Sequence, residues 1–323
     1  MAKYLLTGAA GFIASRVAGL LLDRGDEVVG IDNLNDAYDP RLKHWRLEQL
    51  KSRDRFEFVG GDIEDRESLA RVFSAHRFDG VINLAARAGV RQSVADPWVY
   101  ISTNTTGTLN LLDLCRKHDV PKFLLASTSS LYGTHNPQPF SEEADTSHPL
   151  SPYASSKKAA EAMCYTYHYL YGIDVTVYRF FTVYGPAGRP DMSLFRFIQW
   201  VNEGKPVLIF GDGTQSRDFT YVDDIARGTV AGLRPLGYEV INLGSDTPVV
   251  LNDALRMVEE ALGKSAEVRY EPMHRADVPA TWANISKARR LLDWEPQTTP
   301  RQGIQNSVDW YLANRDWASE IIT

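Results

Sequence analysis

In the first half of the chain, short apolar runs alternate with longer segments whose apolar positions recur at helical spacing. KYLLT, DEVVGID, FEFVGGD, DGVINLAA, KFLLAST and DVTVYRF read as strands, rich in β-branched or apolar residues. Between them, 15–22, 67–75, 99–116 and 153–171 read as helices. Strands separated by helices at this rhythm predict right-handed crossovers and a doubly wound parallel sheet covered on both faces, an α/β fold. In such sheets the active site lies beyond the carboxyl ends of the strands. The less ordinary residues fall there: Asp32 after one strand, Asp62 after the next, then LAARAG, STSSLYG and FFTVYGP.

After about Gly185 the texture changes. Gly and Pro become frequent in YGPAGRPD, EGKP and GDGTQ, and strand-like PVLIF and AEVRY mix with helical stretches. The expected division is a dinucleotide domain over 1–184, with a return to the main sheet around 220–246 through EVINLGS, and a smaller mixed α/β substrate domain over 185–323 that caps the site. No internal repeat is visible.

Composition narrows the function classes. The 323 residues are 44% hydrophobic and 24% charged, which describes an ordinary globular chain with a sizeable core. A net charge of −6 without any basic run argues against nucleic acid or an acidic membrane as partner. The two cysteines, Cys115 and Cys164, lie in helix-like segments and read as small buried residues in a reducing compartment, neither disulfide nor zinc cluster; no metal site is expected. Met1 runs almost directly into YLLTG and no apolar run reaches membrane-spanning length, so the expectation is a cytoplasmic protein without signal peptide.

Two segments carry chemistry. LLTGAAGFIA follows the first strand and opens a helix; Gly8 and Gly11 allow a tight turn and close approach of backbone N–H groups to a pyrophosphate. The third glycine position holds Ala14, one methyl larger. Asp32 ends the second strand, where a carboxylate accepts from both ribose hydroxyls and repels a 2′-phosphate, which selects NAD over NADP. The second segment, SPYASSKKAAEAM, places Tyr153 and Lys157 one helical turn apart on one face. An ammonium beside a phenol lowers its pKa and makes a base usable near neutrality. An amphipathic surface helix with a buried aromatic and a solvated lysine has the same spacing. The strand exit at Thr128, Ser129 and Ser130 tips the choice, because hydroxyl, phenolate and ammonium together suit removal of a carbinol proton during hydride transfer to NAD+.

TGAAGFIA, Asp32, GDIED, NLAA, the Thr128/Tyr153/Lys157 set and SRDFTYVDDIARG together resemble the extended short-chain dehydrogenase/reductase family over essentially the whole chain. Within it, NLNDAYDPRLK, AGVRQS and RFFTVYGPAGRPDM resemble the NAD-dependent nucleotide-sugar epimerases that act on UDP-glucuronate. The resemblance implies a Rossmann-type fold and a catalytic set of Thr128, Tyr153 as base and Lys157, with Lys157 also on the nicotinamide ribose. It places NAD against Gly8, Gly11, Phe12, Ile13, Asp32, Asn33, Asp62, Ile63, Leu84, Ala85, Ala86, Asn104 and Phe180, besides Tyr153 and Lys157. It places a UDP-sugar against Arg91, Ser129, Ser130, Thr182, Arg189, Arg217 and Asp277, with Thr182 and Arg189 on the substrate carboxylate. It further implies a homodimer built as a four-helix bundle from the helices at 99–116 and 153–171.

The implied reaction is a redox loop. C4 of the sugar is oxidised, the 4-keto intermediate turns about its diphosphate, and the hydride returns to the other face. Three neighbouring functions stay open on sequence: UDP-glucose 4-epimerase, UDP-glucuronate decarboxylase and a non-catalytic NAD-binding regulator. A reductase that exchanges its cofactor is a fourth. Ser129 and Ser130 stand where dehydratases and decarboxylases carry an acid, which disfavours both. Asn83 and His274 depart from the family pattern, the latter at a position where related epimerases place arginine on the uridine side.

Overall fold

In the computed structural model, residues 1–273 and 277–323 are described; His274 lies outside them. The seven-stranded sheet is built from β1 (Lys3–Thr7), β2 (Glu27–Asp32), β3 (Phe56–Gly60), β4 (Gly80–Asn83), β5 (Lys122–Thr128), β6 (Asp174–Phe180) and β10 (Tyr238–Leu243). Its order is β10-β6-β5-β4-β1-β2-β3 and every pairing is parallel. The strand order reverses between β1 and β4, the switch point at which such sheets open a crevice for ligands. Register brings the carboxyl ends level: Thr7 lies opposite Ile31 and Asn83, and Thr128 opposite Phe180.

The strands are apolar on both faces because helices cover both. Successive residues point to opposite sides: Leu6, Ile82 and Leu124 enter one core, and their neighbours Leu5, Val81 and Leu125 the other. The covering helices include α1 (Phe12–Asp23), α2 (Pro40–Lys51), α3 (Arg66–Ala75), α4 (Val90–Ala95), α5 (Trp98–Tyr100), α6 (Gly107–Lys117) and α7 (Pro152–Tyr171). Helix α7 starts where the Ser151 hydroxyl accepts from Ala154 N at 3.2 Å with Pro152 at its first position, and ends at Gly172 with φ +70°.

Two predicted details change. The segment 99–116 is not one regular helix: Ile101–Thr106 forms a π turn between α5 and α6. The sequence ISTNTT is poor in strong helix formers, and Asn104 is drawn into a buried network that fixes the bulge. Helix α2 lies in a stretch read only as a motif, although Asp39 caps it and Pro40 opens it.

Beyond β6 come β7 (Thr182–Tyr184), α8 (Ser193–Asn202), β8 (Val207–Phe210), β9 (Ser216–Tyr221) and α9 (Val222–Ala231). After β10 follow β11 (Pro248–Val250), α10 (Leu251–Leu262), β12 (Val268–Glu271), α11 (Ser286–Leu292), α12 (Pro300–Ala313) and α13 (Arg315–Ala318). PVLIF and AEVRY pair with each other, as β8 and β12 of a small parallel sheet, while β11-β9-β7 form a mixed one. Helix α9 packs on α1 and β10 pairs with β6, so the chain beyond β6 returns one strand to the main sheet and one helix to its covering layer. A third core, including Phe195, Ile198, Val207, Phe219, Val258 and Tyr311, holds the remainder together and takes Leu42 from α2.

Candidate active site

The dinucleotide turn is tight for a steric reason. Gly8 has φ +68°, and a Cβ on it would stand 2.9 Å from the Ala85 backbone; one on Gly11 would stand 2.7 Å from Gly8 O. The cradle therefore has room only for backbone, the geometry by which N–H groups reach a pyrophosphate. Ala14 is buried without displacing the helix, and Phe12 is buried beside the half-buried Ile13. Asp32 accepts from Ala10 N at 3.1 Å through one oxygen and from Leu34 N at 2.8 Å through the other. Each oxygen keeps a lone pair for a ribose hydroxyl. Asn33 donates to Asp62 at 2.6 Å, beside buried Ile63. This donor and acceptor set fits NAD.

The loop after β4, Leu84–Ala86, is held by the Thr7 hydroxyl, which receives Ala85 N at 3.1 Å and donates to Asn83 at 2.7 Å. Asn83 continues to Thr108 at 3.0 Å and Thr108 to Asn104 O at 2.7 Å. The buried Asn104 amide binds both backbone groups of Arg87 and donates to Ser156 Oγ at 2.9 Å. Ser156 in turn donates to Tyr153 O at 2.8 Å. Asn104 thus ties the β4 loop to the helix bearing Tyr153, and its amide groups are engaged by protein. Asn83, the departure from the family pattern, is a buried link in this chain.

Tyr153 and Lys157 share one face of α7, and the Tyr100 ring meets Tyr153 edge-on with centroids 6.1 Å apart. Lys157 is buried and donates to Ala126 O at 2.9 Å. Burial pulls its pKa down to about 8, with Glu161 one turn further on opposing the fall. Glu161 accepts from Ser127 at 2.6 Å and forms a fully buried two-point pair with Arg179 at 3.1 and 2.9 Å.

The simple expectation that Lys157 lowers the Tyr153 pKa needs correction. In the chain alone burial raises it, and the opposing influences are a hydrogen bond from Thr128 and the charge of Arg189. Desolvation outweighs helical spacing, and Lys157 points to Ala126 instead. Thr128 is buried at the end of β5 and receives Ser130 N at 3.1 Å while donating to Ser130 Oγ at 3.1 Å. Ser129 and Ser130 are half-buried beside it, and the Phe180 backbone is its neighbour in register.

The residues expected at the substrate are dominated by arginines. Arg189 is held two-point by Asp191, Nε to Oδ1 at 3.0 Å and Nη2 to Oδ2 at 2.5 Å. Thr182 opens β7, half-buried. Arg91 pairs with Asp277 at 2.5 Å and stacks 4.1 Å over Phe210. Arg217 donates to Ser216 O at 2.8 Å, and its pKa is drawn down by burial, which Asp277 opposes and Arg91 reinforces. Three expected substrate residues from distant parts of the chain therefore converge. Sequence reasoning missed Arg196, whose buried Nε has no partner among the described residues and which feels both Asp191 and Arg91. It also missed Asp191, although that residue lies inside the quoted GPAGRPDM, and Arg46, whose role arises through tertiary contacts alone.

The fold thus brings together a Gly-cradled dinucleotide turn, the Thr128 hydroxyl beside Tyr153 and the buried Lys157, and a group of arginines with acidic partners. A family model described as GDP-mannose 4,6 dehydratase matches residues 5–307, and the chain belongs to that family. It is 55% identical over 315 residues to a UDP-glucuronate 4-epimerase of Thermodesulfobacterium geofontis, covering 97% of each chain. Among solved structures it is similar to the UDP-glucuronic acid 4-epimerase of Bacillus cereus in complex with UDP-glucuronic acid and NAD, with a TM-score of 0.91, 38% identity and coverage of 97% of this chain and 99% of that one. The UDP-glucose 4-epimerase of Thermotoga maritima follows at a TM-score of 0.89 and 33% identity, over 97% and 99%.

Proposed function

We infer that the chain interconverts UDP-glucuronate and UDP-galacturonate by NAD-dependent epimerisation at C4. The observation that carries the reading is electrostatic. Arg189, the group suited to a hexuronate carboxylate, lies close enough to Tyr153 for each to shift the other's titration. A neutral hexose offers a guanidinium there only hydroxyl acceptors, whereas a carboxylate takes its fork two-point with opposite charge. The similarity to UDP-glucuronate 4-epimerases supports the same conclusion.

When bound, NAD supplies a reversible acceptor for the C4 hydride. Gly8, Gly11, Asp32 and Asp62 hold it, with the Leu84–Ala86 loop alongside. Tyr153 takes the C4 hydroxyl proton and later returns it; Thr128 donates to the phenolate as it forms. Lys157, anchored on Ala126 O, keeps positive charge one helical turn from Tyr153, and Ser129 and Ser130 bind sugar oxygens. Arg91, Arg217 and Asp277 hold the nucleotide diphosphate end while the 4-keto sugar turns. That intermediate is a β-keto acid and loses CO2 when its carboxylate aligns with the carbonyl, so Arg189 and Thr182 also act by holding the carboxylate out of alignment.

The same reading divides the chain into a dinucleotide part over 1–184, with a return at 220–246, and a substrate part over 185–323. It includes a homodimer through α6 and α7, supported by the exposed Leu109, Tyr165, Tyr169 and Leu170 on those helices. A cytoplasmic location is supported by two buried free thiols. No helix of the described residues is long and apolar enough to cross a membrane. The test is incubation with UDP-glucuronate and with UDP-glucose, products resolved by NMR. UDP-galacturonate from the first alone is the expected result; preferential UDP-galactose, or a UDP-pentose, overturns the reading.

A further inference from the structure

Arg46 is 2% exposed in α2, yet it forms no ion pair among the described residues. Its donors go to backbone carbonyls and one phenol. Nε and Nη2 both reach Ala187 O, at 3.0 and 2.6 Å, and Nη2 also reaches Gly188 O at 3.3 Å. Nη1 reaches Ala10 O at 3.2 Å and the Tyr38 hydroxyl at 2.7 Å. The guanidinium plane lies against the Phe12 and Tyr38 rings, 5.7 and 5.5 Å from their centroids. A buried cation without a counter-ion is costly and persists when its hydrogen bonds hold something that would otherwise move.

What it holds is strained. Ala187 is a buried non-glycine residue at φ +53°, left-handed backbone that its Cβ disfavours. Gly188 follows, then Arg189. The doubly accepted carbonyl of Ala187 sets the orientation of the peptide leading to Arg189, and the opposite end of the same guanidinium grips Ala10 in the dinucleotide turn.

We propose that Arg46 is a positioning residue for carboxylate recognition: it clamps the Ala187–Gly188 turn to the dinucleotide turn and so aims the Arg189 guanidinium at a hexuronate carboxylate. Arg46 touches no reacting atom in this role. The proposal rests on the assignment of Arg189 above, and the experiment separates the two.

Arg46→Lys keeps the charge but loses the fork. Titration calorimetry of the NAD-loaded protein compares UDP-glucuronate with UDP, which lacks the carboxylate. Affinity for UDP-glucuronate is expected to fall roughly tenfold, the effect of a displaced positioning group, with UDP affinity and NAD content unchanged. Adding Ala187→Gly, which adopts the turn without strain, is expected to restore most of the loss. Equal weakening of both ligands, or no restoration by glycine, overturns the proposal. Arg189→Gln decides the underlying assignment: if it leaves UDP-glucuronate affinity unchanged, the carboxylate reading fails; if it weakens binding while Arg46→Lys does not, only the clamp fails. Should Arg46→Lys not fold, Tyr38→Phe removes just the hydroxyl receiving Nη1 and must give a smaller loss of the same selectivity; an unchanged ratio overturns the clamp.

Discussion

The two ends of the cleft are prepared in opposite ways. At the dinucleotide end, polar groups are satisfied by the protein and shape comes from backbone: Asp32 holds two N–H groups, Thr7 and Asn83 bind each other, and the two glycines leave no space for side chains. At the proposed substrate end, charges are paired with neighbouring acids, Arg189 with Asp191 and Arg91 with Asp277, while Arg196 keeps a buried nitrogen without a partner among the described residues. A site rigid before binding suits a cofactor retained through many turnovers. A site held by exchangeable ion pairs suits a ligand that must enter, rotate and leave. The difference is one of reorganisation, and it makes the two ends fail differently when altered.

The largest effect belongs where the ends meet. Tyr153→Phe removes the proton acceptor while leaving the ring against Tyr100, and kcat is expected to fall roughly 10³-fold or more, the upper part of the range for a general base. NAD content and thermal midpoint are expected to stay put. Stopped turnover with full cofactor occupancy keeps the two ends separate; joint loss of both erases the contrast. Arg189→Gln comes next. Losing a two-point charged contact is worth roughly 10–100-fold in affinity for UDP-glucuronate, and the loosened carboxylate should leak a UDP-pentose with CO2, detectable by NMR. At the rigid end Gly8→Ala adds a methyl 2.9 Å from the Ala85 backbone at φ +68°. It is expected to cost about 1–3 kcal/mol in strain, read as a lower thermal midpoint and loss of retained NAD.

The sheet was legible because its strands are buried on both faces and read as apolar runs; all six strands read from the first half form it. Helix α2 was harder, since PRLKHWRLEQLK buries Lys43 and Arg46 as well as leucines and shows a weak apolar stripe. Strand β9 reads SRDFTY, too polar to stand out, because a buried Asp218 is satisfied there by Ser245, Ala283 and Asp246 backbone groups from far along the chain. At the site, residue types and spacing together with the family resemblance pointed to Thr128, Tyr153 and Lys157 as candidates. They could not give the sign of the Tyr153 shift, which depends on how much water the fold removes. Nor could they give Arg46, Asp191 or Arg196, whose roles are contacts made only by the folded chain.

pH sharpens the comparison at Lys157, which the proposed mechanism places where both ends meet. Its pKa of about 8 lies below the ordinary lysine value of 10.5. Between these values the unfolded chain binds more protons than the folded one, so the stability contribution of this group rises with pH through that window. In the proposed mechanism activity runs the other way: below about pH 8 the ammonium is present, and above it the positive charge one helical turn from Tyr153 is lost. kcat/KM for UDP-glucuronate is therefore expected to decline about tenfold per unit well above pH 8. The thermal midpoint should not fall in parallel. A rate that falls only with unfolding would remove Lys157 from the chemistry.

The smallest expected effect tests the idea of provisional pairing most directly. Asp191 occupies the fork of Arg189 that, in the proposed function, a substrate carboxylate takes, so binding would exchange one carboxylate for another. Both side chains of that pair are about a quarter exposed, 24% and 23%, and a partly solvated pair is worth only about 0–1 kcal/mol. Asp191→Asn removes the competitor's charge but keeps its size. UDP-glucuronate should then bind a few-fold more tightly, roughly up to fivefold at the top of that energy range, while UDP binds as before. If the pair were a fixed brace for Arg189 and not a placeholder, the same substitution would weaken UDP-glucuronate binding. The substrate end would then be as preorganised as the cofactor end, because losing the brace would leave the guanidinium misdirected instead of free.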